Sequence, residues 1–367
     1  MNVLMLVQRV DSHAPNGFIV KWIKTLANRV DSLVVLTYFY SDSEDFPPNV
    51  KLVKISGNNF INRNIDLFLK TLEIIKKEDI DIVFGHILEV FGVVAGLCSR
   101  ILGKKSFLWY CQGYDLSKNY LAKLSLLLPH KILTCGQRVK DQYIRQVGGW
   151  MKNKTVPVGH GIDLAHYSQG QKPKTLAKDQ KVTVVYAGRI APIKDIGTLI
   201  EAVRIMHSNG YNIELNIHGG WGIIDSQKMQ YRDIILKKVA EVNKSEQFVN
   251  FPEGKSHGYA DNYKIIKSGN IFIMPTLSTS LDIVYIEAIA CGVLAVGSDV
   301  GYPFMVQKFP QLVFKAQDPY DLAKKIRWLI DNPKKAHIII QNAKAYVEKQ
   351  FDINKLMDKV AYEFSLA

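Results

Sequence analysis

Arg189 and Lys194 stand five residues apart in Gly188-Arg189-Ile190-Ala191-Pro192-Ile193-Lys194-Asp195. The segment joins a strand-like apolar run, Val182 to Ala187, to a stretch with Ile196, Leu199, Ile200 and Val203 on one helical face. A guanidinium forks onto one phosphate and an ammonium supplies a point charge to the next, so the pair suits a diphosphate. Taken alone, the spacing is also that of a loop charged for solubility. A second stretch, Ser278 to Gly292, opens with Ser, Thr and Asp, continues as an apolar helical pattern and closes on a glycine. Strand-like runs, Asn270 to Met274 and Val293 to Gly297, flank it. A helix so placed points its N-terminus at the carboxyl edge of a parallel sheet, where free N–H groups and the helix dipole favour an anion. Glu287, the only acid within this helix, leans back toward that end and can reach a ligand held there.

The elements that must position these groups alternate twice over. Val3 to Val7, Leu33 to Tyr38, Asp81 to Phe84, Ser106 to Tyr110 and Lys131 to Thr134 are short apolar runs separated by helical patterns such as Ile65, Phe68, Leu69, Leu72 and Ile75. A second series comprises Val182 to Ala187, Ile213 to Ile217, Phe248 to Phe251, Asn270 to Met274, Val293 to Gly297 and Leu312 to Phe314. The expected class is α/β, two Rossmann-like doubly wound parallel-sheet domains facing across a cleft. The first spans 1–168, a polar linker 169–181, the second 182–340, and C-terminal helices 341–367 are expected to pack back on the first. Asp318 or Pro319 should open a helix and Asn332-Pro333 break it.

With 367 residues and 47% hydrophobic content, the chain can build two real cores. No apolar run reaches membrane-spanning length and no signal-peptide pattern opens the sequence, so a cytosolic protein is expected. Cys98, Cys111, Cys135 and Cys291 lie far apart in apolar segments, which reads as reduced, buried thiols rather than a disulfide framework or a zinc site. The net charge of +13 is concentrated: residues 101–154 hold ten bases against two acids, a net of +8. Trp109, Tyr110, Tyr114, Tyr120 and the run Leu124 to Leu128 are interleaved with them. An anionic membrane surface and an ordinary solvated rim are both consistent with this. No nucleic-acid motif accompanies the charge, and no carboxylate cluster has metal-ligand spacing, so neither nucleic acid nor a metal is expected.

Gly-Arg-x-x-x-x-Lys at the first turn of a second Rossmann-like domain, followed about ninety residues later by Ile-Glu-Ala-Ile-Ala-Cys-Gly, resembles the retaining GT-B glycosyltransferases of family 4. The likeness is strongest from Val182 to Val306. In the first half it rests on Gly17, on Asp81 to His86, and on Val156-Pro157-Val158-Gly159-His160-Gly161-Ile162-Asp163.

The resemblance implies a transfer of sugar from a nucleotide-sugar donor to a glycan or lipid-linked acceptor, without cofactor or metal. Arg189 and Lys194 would hold the donor diphosphate and stabilise the charge growing on the leaving group, and Glu287 would meet the ribose hydroxyls. Ser280, Leu281, Asp282, Ile283 and Val284 would face phosphates or sugar, with Gly17 and Gly188 admitting the diphosphate closely. The base would lie beside the loop after Phe248 to Phe251, and His86 and Gln112 would border the sugar or acceptor.

Two positions depart from the family pattern. Thr279 stands where a second glutamate is usual, and Gln112 where a histidine is common. Asp282 either supplies the missing carboxylate or caps the helix, and both readings stand. His218, His160 and Asp163 have ordinary structural explanations. A catalytically silent GT-B subunit binding a nucleotide-sugar or a partner enzyme is the second functional reading. A dinucleotide-dependent oxidoreductase lacks its Gly-x-Gly-x-x-Gly turn after Val3 to Val7.

Overall fold

The computed structural model describes residues 1–366 apart from 113–114, 117–118, 177–179, 222–225 and 253–257, and apart from the side chains of 226–228. The chain divides into two compact units. The first holds Met1–Gly161 together with the segment from Phe351 on, the second Ile162–Gln350. The division thus falls at Gly161, and the tail from 341 is split between the units at Gln350.

In the first unit the elements run β1 (Asn2–Val10), α1 (Phe18–Ala27), β2 (Ser32–Tyr40), β3 (Val50–Lys54), α2 (Phe60–Lys77), β4 (Ile82–His86), α3 (Glu89–Ile101), β5 (Lys105–Trp109), α4 (Tyr120–Leu127), β6 (Lys131–Thr134), α5 (Gln137–Val147), α6 (Met151–Lys154) and β7 (Thr155–Pro157). Seven parallel strands lie in the order β3-β2-β1-β4-β5-β6-β7. Because side chains alternate across a strand, Val3, Met5 and Val7 enter one core and Leu4 and Leu6 the other. The first core is closed by α1 and by a helix from the far end of the chain, Ile353–Ser365, which contributes Ile353, Leu356, Met357, Val360 and Phe364. Phe364 packs its ring on Phe84 and Phe107, and Lys131 Nζ reaches Glu363 at 2.9 Å. On the opposite face α2 and α3 cover the second core, and α3 packs between α2 and α4.

The second unit begins with α7 (Leu164–Ser168) and continues β8 (Val182–Ala187), α8 (Ile196–Ser208), β9 (Ile213–His218), α9 (Ser226–Val242), β10 (Val249–Asn250), α10 (Asn262–Lys267), β11 (Ile271–Met274), α11 (Ile283–Ala290), β12 (Leu294–Ser298), α12 (Pro303–Val306), β13 (Val313–Phe314), α13 (Pro319–Asp331) and α14 (Pro333–Gln350). The first unit's returning helix is then α15. Its six strands are parallel in the order β10-β9-β8-β11-β12-β13. Every residue of β8, β11 and β12 is buried, as expected of parallel strands covered on both faces.

The helix punctuation follows local chemistry. Asp318 caps α13 by accepting the Tyr320 and Asp321 N–H groups, Pro319 occupies the first turn, and Asn332 ends the helix before Pro333 opens the next. Gly292 takes φ 77° just beyond α11, the left-handed stop its position suggested. Two strands were not evident from the pattern. β3 is an edge strand studded with Lys51 and Lys54, and β7 is three residues ending in Pro157.

Candidate functional site

Each sheet reverses its winding once, between β1 and β4 in the first unit and between β8 and β11 in the second. In open α/β sheets ligands bind outside the carboxyl ends of the strands at such a switch point. The Arg189–Lys194 loop follows β8, and the 275–282 link to α11 follows β11, so the two stretches singled out from sequence flank the same switch.

Backbone and side-chain bonds stitch them together. Pro192–Lys194 forms a single tight turn, and its Ile193 carbonyl accepts from Leu277 N at 2.8 Å and from Thr276 Oγ1 at 3.4 Å. Gly188 N donates to His218 O at 3.0 Å and Ile190 N to Gly220 O at 2.9 Å, tying the loop to the turn after β9. A Cβ on Gly219 would lie 1.8 Å from the Gly188 carbonyl oxygen, so the glycine there admits the neighbouring backbone. The Tyr186 hydroxyl donates to Arg189 O at 2.8 Å from a fully buried ring.

The two cations of this loop differ in environment. Arg189 is exposed, and its guanidinium makes no ion pair among the described residues. Lys194 is only 8% exposed and its Nζ is bonded to the Asp282 carboxylate. Asp282 occupies the N-cap position of α11 yet makes no side-chain cap bond. Its Oδ1 goes to Lys194, and its Oδ2 is buried without a hydrogen-bond partner among the described residues. Of the two roles considered for this carboxylate, capping is therefore not the one adopted. The α11 N-terminus is instead held by the Tyr302 hydroxyl, which donates to Asp282 O at 3.0 Å while its ring stacks on Tyr285 at 3.9 Å. Gly297 makes room for that ring, since a Cβ there would meet Tyr302 Cδ2 at 2.3 Å.

Ser280, Leu281, Ile283 and Val284 are half-buried around this end of the helix, with Ser280 Oγ 2.7 Å from Ser278 Oγ and Thr279 between them. The first N–H groups of a helix have no acceptor within it, so α11 presents donors here. Glu287, one turn in, is 3% exposed and accepts from Asn262 Nδ2 at 2.9 Å. Burial lifts its carboxyl to about 7, with the Tyr167 hydroxyl and Asn262 amide holding the rise in check. Asn262, Tyr167 and Tyr259 thus line the Glu287 pocket, and no motif in the sequence marked them.

In the first unit Gly17 follows β1 and His86 ends β4, the strands at that sheet's switch. Gly17 has a structural reason to be glycine, because a Cβ would fall 2.4 Å from Ser12 O. His86 is 7% exposed among Phe18 and Trp22 with Nε2 unpartnered among the described residues, and burial pushes its imidazole down to about 3, so it is neutral. Ile87 behind it takes φ 66°, a conformation costing a β-branched residue about 1–3 kcal/mol, and is pinned by its N–H to Trp109 O at 2.8 Å. Gln112 is half-buried just beyond β5. The loop expected beside the base, at 253–257, lies outside the described residues, as do Tyr114 and Lys118 of the basic stretch.

The cysteines depart from expectation. None of the four is in a disulfide among the described residues, but only Cys98 and Cys291 are buried. Cys111 and Cys135, separated in sequence, meet because each follows one of two adjacent parallel strands, β5 and β6.

Residues 168–346 match the family model of the glycosyl transferases group 1. Among curated proteins, the UDP-N-acetylglucosamine–peptide N-acetylglucosaminyltransferase GtfA subunit of Streptococcus pneumoniae is 23% identical over 229 residues, 62% of this chain and 39% of that protein. A D-inositol 3-phosphate glycosyltransferase of Rhodococcus erythropolis is 26% identical over 150 residues, 39% of this chain and 33% of its own length. The chain thus spans roughly a third to two fifths of the curated relatives it matches. Among solved structures, Anabaena HepE in complex with UDP has TM-score 0.76 at 15% identity, with 100% of both chains covered. Sucrose-phosphate synthase from Thermosynechococcus elongatus has TM-score 0.78 at 16% identity, covering 100% of this chain and 99% of its own. At such identities the likeness establishes the fold, two parallel-sheet α/β domains of the GT-B type.

Proposed function

We propose, from the match of residues 168–346 to the glycosyl transferases group 1, that this protein is a retaining, metal-independent glycosyltransferase of family 4. It moves a sugar from a nucleoside-diphosphate sugar to an acceptor hydroxyl in the synthesis of a glycan, glycolipid or polysaccharide. The carrying observation is the joining of exposed Arg189, buried Lys194 and the open end of α11 at one switch point.

In this reading the acceptor oxygen replaces the diphosphate oxygen at the anomeric carbon, the hydroxyl proton passes to the departing oxygen or to solvent, and the electrons of the broken C–O bond leave with the diphosphate as added negative charge. Arg189 forks onto one phosphate, Lys194 meets the other, and the α11 N–H groups complete a cradle fixed before reaction. Glu287 takes the ribose hydroxyls. The family neighbour solved with UDP makes uridine the first base to test.

Thermal-shift screening with nucleoside diphosphates and their sugars tests the reading, since a ligand bound only by the folded chain raises its melting temperature. Stabilisation by a nucleotide-sugar together with sugar transfer or slow hydrolysis is the expected result. Stabilisation without any turnover favours the second reading, a silent subunit, which the pairing of Lys194 with Asp282 and the presence of Thr279 support. No stabilisation by any nucleotide sinks both.

A peripheral position on the inner face of a membrane, with a lipid-linked acceptor, is part of the proposal. Among the described residues no helix is long and apolar enough to cross a bilayer. Adjacent helices α2, α3 and α4 instead expose Phe60 (75%), Ile65, Leu69, Ile101, Tyr120 (84%) and Leu124. Arg63, Arg100 and Lys123 lie on the same three helices, a composition suited to an anionic lipid surface.

A further inference from the structure

Cys111, Cys135 and His160 form a cluster that the proposed transfer chemistry does not use. Cys111 stands two residues beyond β5, Cys135 directly beyond β6 and His160 three beyond β7. These strands are neighbours in the sheet, with Trp109 paired to Leu133 and Thr134 to Pro157, so their carboxyl ends turn out side by side. The two sulfur atoms and one imidazole nitrogen all lie within 4.8 Å of one another. All three residues are half-buried.

We propose that these side chains bind a thiophilic divalent cation of the zinc class, with two sulfur ligands, one nitrogen ligand and one open position. Tetrahedral zinc with Zn–S of about 2.3 Å and Zn–N of about 2.0 Å places its donor atoms roughly 3.5–3.8 Å apart. Closing from 4.8 Å therefore takes about 1 Å, within the reach of small side-chain rotations. Surrounding groups support the ligands. Cys111 Sγ accepts the Cys135 backbone N–H at 2.9 Å and lies 3.7 Å from Thr134 Oγ1, contacts that favour a thiolate. His160 is packed edge-on against Trp109 at 5.5 Å, which restrains its ring.

The chemistry balances simply. A divalent cation displaces one proton from each thiol, both protons leave to solvent, and neutral imidazole donates its lone pair, with no change of oxidation state. Because the ligands must give up their protons to bind, affinity rises with pH. Soft sulfur ligands select zinc, cadmium or cobalt over magnesium and calcium. The inference is independent of the donor assignment, because it concerns the first unit and its readout is not transfer.

The test uses the full chain, stripped of metal and kept reduced with a phosphine, titrated with Co²⁺ and then Zn²⁺. One equivalent of Co²⁺ should give a thiolate-to-cobalt charge-transfer band with the intense visible absorption of a tetrahedral site. Zinc should abolish the band, with release of about two protons at a pH below the thiol range. Cys135→Ser should weaken or remove the band and His160→Ala should weaken binding by at least about 100-fold, while Cys291→Ser leaves it intact. His160→Ala keeps the test decisive if Cys135→Ser does not fold. Absence of the band in the parent chain overturns the proposal, as does a band of unchanged intensity in folded Cys135→Ser or unchanged affinity in His160→Ala.

Discussion

Lys194 and Asp282, 88 residues apart in sequence, are bonded ammonium to carboxylate at the carboxyl edge of the second unit's sheet. The lysine proposed to meet the donor is thus already engaged. A diphosphate must compete with Asp282 for it or share it. Asp282→Asn removes the competing charge while keeping the shape, and UDP should bind more tightly, by roughly tenfold for each 1.4 kcal/mol of competition relieved. Transfer should fall in the same variant if the carboxylate also contacts the sugar. Calorimetry with UDP alone is the check, and an unchanged affinity would show that the lysine does not meet the diphosphate.

Arg189 is exposed and makes no ion pair among the described residues, so its removal should separate function from stability. Arg189→Ala is expected to lower transfer by about 10²–10³-fold, the usual loss when one preorganised donor to a developing charge is deleted. Its unfolding free energy should stay within about 0.5 kcal/mol of the parent. Arg189→Lys should recover only part of the rate, because an ammonium lacks the fork. Full activity in Arg189→Ala removes the residue from the site.

Glu287 sets a pH dependence of stability. Its carboxyl is raised from 4.5 to about 7 in the fold, so as pH rises the unfolded chain loses the proton first. The folded state therefore binds more protons between those values, and the unfolding free energy falls across that window by up to about 3 kcal/mol. Stability from this group is complete below pH 4.5 and gone above about 7. Urea unfolding of the parent and Glu287→Gln at pH 5 and pH 7.5 should give a difference that shifts against the parent on going to the higher pH. A constant difference rejects the assignment.

Gly219→Ala should act on the loop from a distance in sequence. The added methyl group meets the Gly188 carbonyl and must push the Arg189-bearing loop away. Overpacking of this kind costs about 1–3 kcal/mol, and nucleotide affinity should fall with it. Denaturation and UDP binding measured together are the check; parent-like values in both would show that the loop absorbs the methyl group.

Sedimentation with vesicles tests the exposed face of α2 to α4. Binding to anionic but not zwitterionic vesicles at low salt, weakened at high salt, is expected. Phe60→Ser with Leu124→Ser should reduce it. No binding at low salt leaves this face a solvated rim.

Much of the second unit was legible because its signals are local. An apolar run fixes β8, Pro192 and Asp195 punctuate the loop, and Gly292 stops α11. What escaped was long-range or weakly patterned. Asp282 could be read either as a cap, like its neighbours in sequence, or as a carboxylate of the site, and only the fold brings Lys194 to it. Cys111, Cys135 and His160 meet through strand order, which the spacing of cysteines does not record. β3 hid behind its lysines, as an exposed edge strand does.

The position of α15 has a consequence for synthesis. Phe364 packs on Phe84 and Phe107, so the first unit's core is completed by residues made after the whole second unit. About 200 residues separate Gly161 from Phe364, a delay of roughly 10–40 s at translation rates of about 5–20 residues per second. The second unit, contiguous in the chain, can fold within that interval. Until then the first unit lacks the part of its core's cover that α15 supplies beside α1.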